Sequence, residues 1–573
     1  MTKTVADVLV ESLAGLGVDR IYGVVGDSLN AITHSIQKQG RIQWIHTRHE
    51  ESAAFAAAAE AQLTGNLAVC AGSCGPGNLH LINGLYDGMR SRAPVLAIAA
   101  QIPSPEIGSD YFQETHPEIL FKECSVFCEL VSSPVQMPRL LGLAIQAAIT
   151  HQGVAVLVIP GDIALASAVY SEPVTWPRTP KPRVIPSLNE LQRMAQLLEN
   201  GKVTLLCGHG CAEARDELMQ LCDTLKSPMV HALRGKEYLE YDNPYDVGMT
   251  GFIGFSSGYY AIEDCDTLLM LGTNFPYRQF YPKKAQVIQV DIRGEAIGRR
   301  CPVELGVVGD VKETIRALLP LLKKRTDSQF LDKAVSHYQK ARMELDILAK
   351  PGVKKEFIHP QYLAKCVSDC AKEDTIFSCD VGTATVWTAR YVKMNGKRRL
   401  LGSFNHGSMA NALSQAIGAQ ATFPNRQVVA LCGDGGFSML MGDFITLAQL
   451  NLPVKVIVFN NGALDFVELE MKSAGFMTFG TDLKNPNFAD MSNAMGIHAK
   501  RVEDASALES ALQNVLSHPG PALLDVVTNR LELAMPPAIQ IEQAKGFSLY
   551  VMKALLDGRG KEVLDMATTN LWR

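Results

Sequence analysis

Asp434 and Asn461 are the residues best placed to hold a hard cation, because each stands at the tip of an apolar run and beside glycine. Val428 to Cys432 has the unbroken apolar character of a buried parallel strand. It ends on Gly433-Asp434-Gly435-Gly436, where the backbone must turn sharply and come close to something. A helical pattern follows (Met439, Phe444, Leu447, Leu450), then Pro453, then a second buried strand from Val454 to Phe459 that ends on Asn460-Asn461. In such a strand–helix–strand unit both tips lie on one edge of a parallel sheet, the edge where open α/β sheets bind ligands. A carboxylate and an amide there suit Mg²⁺ bridging a diphosphate, with glycine N–H groups free to meet the phosphates. Either turn alone is common; the interval between them makes the pair specific.

The rest of the chain reads as scaffold for edges of this kind. From Val5 to about residue 170 helices and strands alternate: helices Val5 to Leu16, Asp27 to Ile36 and the alanine-rich Ser52 to Leu63; strands Ile21 to Val25, Ile42 to His46, Leu67 to Ala71, Val95 to Ala99 and Val154 to Ile159. Thr47-Arg48-His49-Glu50-Glu51 precedes the alanine-rich helix, and Gly72-Ser73-Cys74-Gly75-Pro76-Gly77-Asn78 opens another helix. These make a first domain, 1–172, expected to hold six strands, five of which are the runs just named. A proline-rich stretch, Pro173 to Pro186, marks a boundary. A second unit, 187–335, shows strands Val203 to Cys207, Met229 to His231, Thr267 to Leu271 and Val287 to Val290, without a Gly-x-Gly-x-x-Gly fingerprint. A charged helical connector, Arg325 to Lys355, leads to a third unit, 356–530, whose first strand, Thr375 to Cys379, ends in Asp380-Val381-Gly382-Thr383. The fold class is therefore α/β: three doubly wound parallel-sheet domains, the first and third resembling each other, plus a tail at 531–573.

Composition bounds the partners. At 573 residues the chain exceeds one core, and 47% hydrophobic residues supply buried sheets. A net charge of −5 gives no reason to expect nucleic acid. The start shows no signal peptide and no span long enough for a bilayer, so a cytoplasmic protein is expected. The 13 cysteines lack paired metal spacing and read as buried thiols.

The Gly-Asp-Gly…Asn-Asn interval resembles the Mg²⁺/thiamine diphosphate signature, and Ala68 to Leu85, Val230 to Gly258 and Arg398 to Ala412 extend the resemblance over nearly the whole chain. The chain is similar to the pyruvate oxidase and acetohydroxyacid synthase family, and most of all to its bacterial quinone-reducing branch. That resemblance implies thiamine diphosphate, Mg²⁺ and FAD as cofactors. It implies that Glu50 hydrogen-bonds N1′ of the aminopyrimidine and so favours loss of the thiazolium C2 proton; a bare helix-capping role is the plainer alternative, better suited to Glu51. It makes Met409 the wedge beneath the cofactor. Gly382, Thr383, Gly407, Ser408, Gly435 and Gly436 become its cradle, and Asp434, Asn461 and the Ala463 backbone the metal shell. Phe112, Gln113, Val381, Phe466 and Glu470 fall around the substrate, with Asp27 and His116 as further polar candidates. The implied flavin segments are Gly251, Phe252, Ile253 and Gly254; Asn274, Phe275, Pro276, Tyr277 and Arg278; and Asp291 with Ile292. One position departs: Asp465 stands where a small residue is expected, beside Phe466.

Beyond Pro536-Pro537, Phe547, Tyr550, Val551, Ala554 and Leu555 form a stripe, and a second short helix, Lys561 to Leu571, puts Val563, Leu564, Ala567 and Leu571 on one side, before Trp572. Lys545, Lys553, Arg559, Lys561 and Arg573 flank them. By pattern alone this is a docked C-terminal helix; the resemblance implies a lipid-triggered anchor instead. The function so implied is oxidative decarboxylation of pyruvate to acetate and CO₂ through hydroxyethyl-thiamine diphosphate, with electrons passing through FAD to ubiquinone on the inner face of the membrane. The alternatives are an acetolactate-forming carboligase with non-redox FAD, a phosphate- and oxygen-dependent oxidase, and a silent scaffold. A homo-oligomer of at least two copies, a tetramer by family habit, is expected.

Overall fold

The structure, a computed structural model, describes residues 3–170, 172–173, 183–351, 358–534 and 541–571. Most of the proline-rich linker, Pro536-Pro537, Trp572 and Arg573 lie outside the described residues. Eighteen strands form three six-stranded sheets. The first holds β1 (Arg20–Gly23), β2 (Gln43–His46), β3 (Ala68–Gly72), β4 (Val95–Gln101), β5 (Phe127–Leu130) and β6 (Val154–Pro160), in the order β2-β1-β3-β4-β6-β5. The second holds β7 (Val203–Cys207), β8 (Met229–His231), β9 (Asp246–Met249), β10 (Thr267–Leu271), β11 (Gln286–Asp291) and β12 (Leu305–Val308), in the order β12-β11-β10-β7-β8-β9. The third holds β13 (Ile376–Cys379), β14 (Arg399–Gly402), β15 (Val428–Gly433), β16 (Lys455–Asn460), β17 (His498–Val502) and β18 (Ala522–Val527), in the order β14-β13-β15-β16-β18-β17.

The first and third sheets have identical topology, strand for strand, as the sequence suggested. All strands run parallel, and the order in which they are added across the sheet reverses between β1 and β3 and between β13 and β15; such switch points are where open sheets bind ligands. The middle sheet, counted from β9, runs 3-2-1-4-5-6, the order associated with dinucleotide binding, although no glycine fingerprint announces it.

Sequence reading missed several strands. β5, β9, β12, β14, β17 and β18 are short, or carry charged residues such as Asp246, Arg399 and Lys500 that interrupt the apolar run. The helix expected across Met439 to Leu450 is also corrected. It is a short helix, Asp434–Met439, a 3-10 turn, Met441–Asp443, and a second helix, Phe444–Gln449. The break falls at Leu440, beside Gly442, which weakens helix continuity. Asp27–Leu29 likewise starts as a 3-10 turn before the helix Asn30–Gln39.

The first and third domains meet through small residues. The Glu50–Thr64 helix buries Ala53, Ala54, Ala56, Ala57, Ala58 and Ala59. It packs on the helices Pro76–Ser91 and Asn411–Thr422. A Cβ on Gly418 would stand 2.1 Å from Ala56 O, and one on Gly84 would stand 2.5 Å from Ala54 Cβ. The three helices therefore approach more closely than any larger residue permits. Polar bonds fix the joint: Ser414 to Ser52 at 3.0 Å, and Arg20 to Thr422 at 3.4 Å. All 13 cysteines are free, most of them buried; burial pushes the Cys124 and Cys128 thiols up to about 12.

Two helices, Ile541–Leu556 and Gly560–Leu571, form the tail. The expected stripe proves to be mostly the docked face: Tyr550 and Ala554 are fully buried and pack with Met566 against Met477, Leu531 and Leu533. Leu555 and Leu564 are corrected to solvent-facing positions. With Met552 and Leu556 they are apolar residues left exposed among the described residues, while Leu549, partly exposed, lies beside Gly475. No helix among the described residues is long and apolar enough to cross a membrane.

Candidate functional site

The third sheet's switch point carries the densest polar construction. Asp434 begins a helix at the tip of β15. Its Oδ1 accepts from Gly435 N at 2.9 Å, and its Oδ2 accepts from Gly462 N and Asn485 Nδ2, both at 2.7 Å. Burial pushes its carboxyl above the ordinary range. Asn461, at the tip of β16, turns its Oδ1 toward Ala463 N at 3.1 Å. Asn485 also bonds Asn460 Oδ1 at 3.0 Å, so it holds both tips together. A polar cavity of about 480 Å³ adjoins the pair, lined in part by Asn461, Gly462, Asn485 and Arg501.

The cradle residues fit a large ligand. Gly382 (φ +127°), Gly407 (φ +84°) and Gly433 have no atom within 4 Å of where a Cβ would stand, so their backbone faces open space. Gly382 caps the Thr383–Tyr391 helix, whose N-terminal N–H groups suit an anion. Gly435 is crowded instead: a Cβ there would meet Leu464 at 2.9 Å and Met409 Cε at 3.2 Å. Met409 is thus brought directly over the Asp434 turn. It precedes Ala410, which holds φ +67°, a costly conformation for a residue with a Cβ. Asp380 underpins that turn, accepting from Ala412 N at 3.0 Å. Its Oδ2 is buried without a hydrogen-bond partner, and burial pushes its carboxyl up to about 7. Val381 and Thr383 are half-buried on the same edge, and Ser408 accepts from Asn83 of the first domain at 2.9 Å.

The first domain's switch point gathers a second group. Glu50 is buried at the start of its helix, and its Oε2 lies 2.9 Å from His80 Nδ1. Its Oε1 would be 3.0 Å from a Cβ on Gly77. The helix cap, assigned above to Glu51, is in fact His49, whose Nδ1 accepts from Glu51 N at 3.2 Å. The Glu51 carboxylate instead accepts from Asn83 at 2.7 Å. Gln113 sits in the left-handed region (φ +62°) against the Gly75 turn, within 3.5 Å of Cys74 Sγ. Phe112 beside it is 79% exposed and joins no core cluster. Asp27 and His116 are exposed; His116 pairs only with Glu118, at 3.7 Å.

Phe466 and Glu470 share the helix Asp465–Ser473. Phe466 is half-buried on the third domain's core and Glu470 is exposed. Asp465 is buried, and burial followed by Glu468 pushes it up to about 8. Glu468 and Lys472, one turn apart and both 2% exposed, pair at 3.4 Å. Arg530 and Thr481 also bind Glu468. Lys472 lies 4.0 Å from Glu562 of the tail, which in turn accepts from Tyr550 OH at 2.7 Å. A buried charged network therefore joins this helix to both tail helices. Sequence reading saw none of it, because Glu468 and Lys472 look like an ordinary surface pair at helical spacing.

In the middle domain the three implied flavin segments come to one edge. Gly251 (φ +97°) would place a Cβ 2.9 Å from Phe275, and Phe252 packs edge-on to Tyr277 with ring centroids 4.8 Å apart. Arg390 of the third domain donates to Ile253 O at 3.1 Å and Gly254 O at 3.4 Å, pinning that loop. Asn274 accepts from Arg300 at 3.0 Å. Asp291, which burial pushes up to about 6, accepts from Arg293 N, and Ile292 is half-exposed. Pro276, Tyr277 and Arg278 are exposed. Partial burial of the Tyr277 side chain, followed by the Glu470 charge, raises its hydroxyl above the ordinary range.

A duplicated parallel-sheet scaffold with oxygen donors and open glycine turns at its switch point suits a diphosphate held through a divalent cation. Sequence comparison specifies the class. Residues 380–526 match the profile of the thiamine pyrophosphate enzyme C-terminal TPP binding domain, 191–318 that of the central domain and 3–120 that of the N-terminal TPP binding domain. The putative thiamine pyrophosphate-containing protein YdaP of Bacillus subtilis is 37% identical over 98% of both chains. The pyruvate oxidase of Lactiplantibacillus plantarum is 30% identical, covering 94% of this chain and 92% of its own. The acetolactate synthase isozyme 2 large subunit of Escherichia coli is 31% identical, covering 92% and 96%. The chain belongs to the thiamine pyrophosphate-dependent enzyme family that includes pyruvate oxidase and acetolactate synthase.

Proposed function

We propose that this protein decarboxylates pyruvate oxidatively to acetate and CO₂, with electrons passing through FAD to ubiquinone at a membrane surface. The observation that carries this reading is adjacency: Arg390, on the Thr383–Tyr391 helix that starts at the Gly382 turn of the third domain, donates to Ile253 O and Gly254 O of the middle domain. A flavin held by the 251–254, 274–278 and 291–292 segments would lie within electron-transfer reach of that turn.

Thiamine diphosphate, when bound, supplies an acidic thiazolium carbon and an electron sink for loss of CO₂. The chain's own residues do the rest. Asp434, Asn461 and the Ala463 carbonyl would hold Mg²⁺, as suits their oxygen donors. Gly382, Thr383, Gly407, Ser408, Gly435 and Gly436 would cradle the cofactor, and Met409 would wedge it from below. Glu50 would hold a proton at the aminopyrimidine ring. Phe112, Gln113, Val381 and Phe466 would close a small apolar pocket that fits a methyl group and excludes water.

Supporting a second copy of the chain is the exposure of Phe112 (79%), Phe479 (87%) and Met439 (62%) at the functional edges. We infer a homo-oligomer, a tetramer by analogy with the resemblance. Supporting a lipid surface are Met552, Leu555 and Leu556, exposed on the outer face of the tail. We place the protein in the cytoplasm, peripheral on the inner face of the membrane.

Anaerobic mixing with pyruvate tests the reading. Loss of flavin absorbance, and reduction of a quinone analogue that rises with anionic vesicles and ceases to do so on truncation after Phe547, is the expected result. Acetolactate without bleaching would replace it with a carboligase, and acetyl phosphate with peroxide would replace the quinone with oxygen.

A further inference from the structure

The helix Pro76–Ser91 takes hold of two successive carboxylates with two residues three apart. His80 meets Glu50 and Asn83 meets Glu51. The close approach of the two helices at Gly84 brings both side chains within reach. Glu50 has no other hydrogen-bond partner among the described residues. Its Oε2 is taken by His80 Nδ1, and its Oε1 lies over Gly77, 3.0 Å from where a Cβ would stand.

The ring of His80 is itself fixed. It stacks on His49 with centroids 4.3 Å apart and planes 25° apart. His49 is held in turn, because its Nδ1 accepts from Glu51 N. That N–H is an unambiguous donor, so His49 Nδ1 carries no proton. An ionised Glu50 can only accept, so His80 Nδ1 carries one. The stack therefore joins two rings in opposite tautomers, one capping a helix and the other gripping an acid.

We propose that His80 is the positioning residue for Glu50: it occupies Oε2, with its ring plane set by His49, so that Oε1 alone is presented to the ring nitrogen of the cofactor's aminopyrimidine. A free glutamate must give up its rotamer freedom each time it makes that bond; one already gripped has done so beforehand. A charge-assisted hydrogen bond of this kind is also among the stronger ones. The proposal rests on the role given to Glu50 above, and its test separates the two.

The variants are His80→Leu, which loses the donor, His80→Gln, which keeps an N–H donor, and Glu50→Gln. The readouts are thiamine diphosphate affinity by titration calorimetry and the rate of hydrogen–deuterium exchange at C2 of the bound cofactor without substrate. His80→Leu should slow exchange about ten- to a hundredfold, the scale of a hydrogen bond to a charged group. Affinity should fall by a smaller factor, and His80→Gln should recover most of the exchange rate. Exchange within threefold of wild type in His80→Leu, when Glu50→Gln slows it, overturns the proposal and leaves the role of Glu50 standing. Unchanged exchange in Glu50→Gln removes that role instead. Should His80→Leu not fold, ¹⁵N-histidine spectra of the wild-type, cofactor-free chain decide. A proton on His80 Nδ1 that moves on Glu50→Gln substitution supports the grip, and a bare Nδ1 refutes it.

Discussion

Gly546 offers a sharp test of how the tail is held, because two physical arguments about it have opposite signs. It lies within the Ile541–Leu556 helix, where glycine is a poor residue; alanine there should favour the helix by about 1 kcal/mol. Yet a Cβ at Gly546 would stand 2.0 Å from Ser473 O, 2.9 Å from Ser473 C and 3.1 Å from Ala474 C, all backbone at the end of the Asp465–Ser473 helix. Relaxing the closest of these toward an ordinary separation of about 3.5 Å moves the tail helix outward by about 1–1.5 Å. That gap forfeits about a quarter to a half of the attraction at each contact around Tyr550 and Ala554. It also stretches the Lys553 to Gly475 bond, now 2.8 Å. Overpacking of one methyl group against rigid backbone costs about 1–3 kcal/mol. Taking about 2 kcal/mol, Gly546→Ala should raise the undocked population of the tail roughly thirtyfold. Rates of limited proteolysis and of amide exchange in 541–571 report that population when reclosing is fast. Ser548→Ala, at an exposed position of the same helix, is the control. Slower proteolysis in Gly546→Ala than in wild type would mean that helix propensity wins and the close contact is not what docks the tail.

Three further predictions follow from the site. Lys472→Met leaves Glu468 buried with Arg530 and Thr481 alone; unfolding should become easier by about 3 kcal/mol, with a coupling to Glu468→Gln of more than about 0.5 kcal/mol in a double-mutant cycle read from urea midpoints. Asn485→Ala removes the amide that orients Asp434 Oδ2; Mg²⁺ affinity in the presence of thiamine diphosphate should fall about 10–100-fold by calorimetry, with the fold unchanged by circular dichroism. Asp380, pushed up to about 7, binds its proton more tightly folded than unfolded, so its contribution to stability is lost as pH rises from about 4 to about 7. Asp380→Asn should flatten the pH dependence of the cofactor-free chain in that window by about 1.4 kcal/mol per pH unit, one proton's worth, measured from urea midpoints at pH 5 and 7.

How much of this was legible in the sequence depends on whether the signal is local. The Asp434 and Asn461 tips are local: an apolar run, a glycine turn, a helix, another run, and the structure puts both tips on one edge because a parallel strand pair allows little else. The duplicated topology was legible only as alternation, since strand order is set by long-range packing. What was not legible was every contact between distant segments. Asn485 joins two strand tips, but in sequence it is one asparagine among several in a polar loop. His80 reads as a helix residue until the Glu50–Thr64 helix comes alongside. Glu468 and Lys472 carry the i,i+4 spacing of a solvated pair, and only the arrival of Arg530 and the tail buries them. The tail stripe was found as a stripe, and the docked helix that its pattern alone suggested is what Tyr550 and Ala554 form. Periodicity shows that a helix has one apolar face, whereas this helix has apolar residues on both, and packing alone tells which is inward.

The two duplicated sheets show how one scaffold was divided between two tasks. β3 and β15 occupy the same place in their sheets, as do β4 and β16, and β2 and β14. At the tip of β15 stands Asp434, and at the tip of β16 stands Asn461. The matching turns of the first domain, Gly72-Ser73-Cys74-Gly75 and Gln101-Ile102-Pro103, carry no carboxylate. That edge therefore has no acid to offer a cation from those two tips. Glu50, a buried carboxylate, follows β2 instead, where the third domain has the glycine-containing loop that ends in Met409. The acid thus follows the edge strand β2, two strands away from β3, the counterpart of β15. There it meets a histidine and a helix N-terminus, surroundings suited to holding a proton on a ring nitrogen, whereas Asp434 meets amides suited to a metal. On the function proposed above, identical topology with a different placement of the carboxylate would give each domain one part of the chemistry.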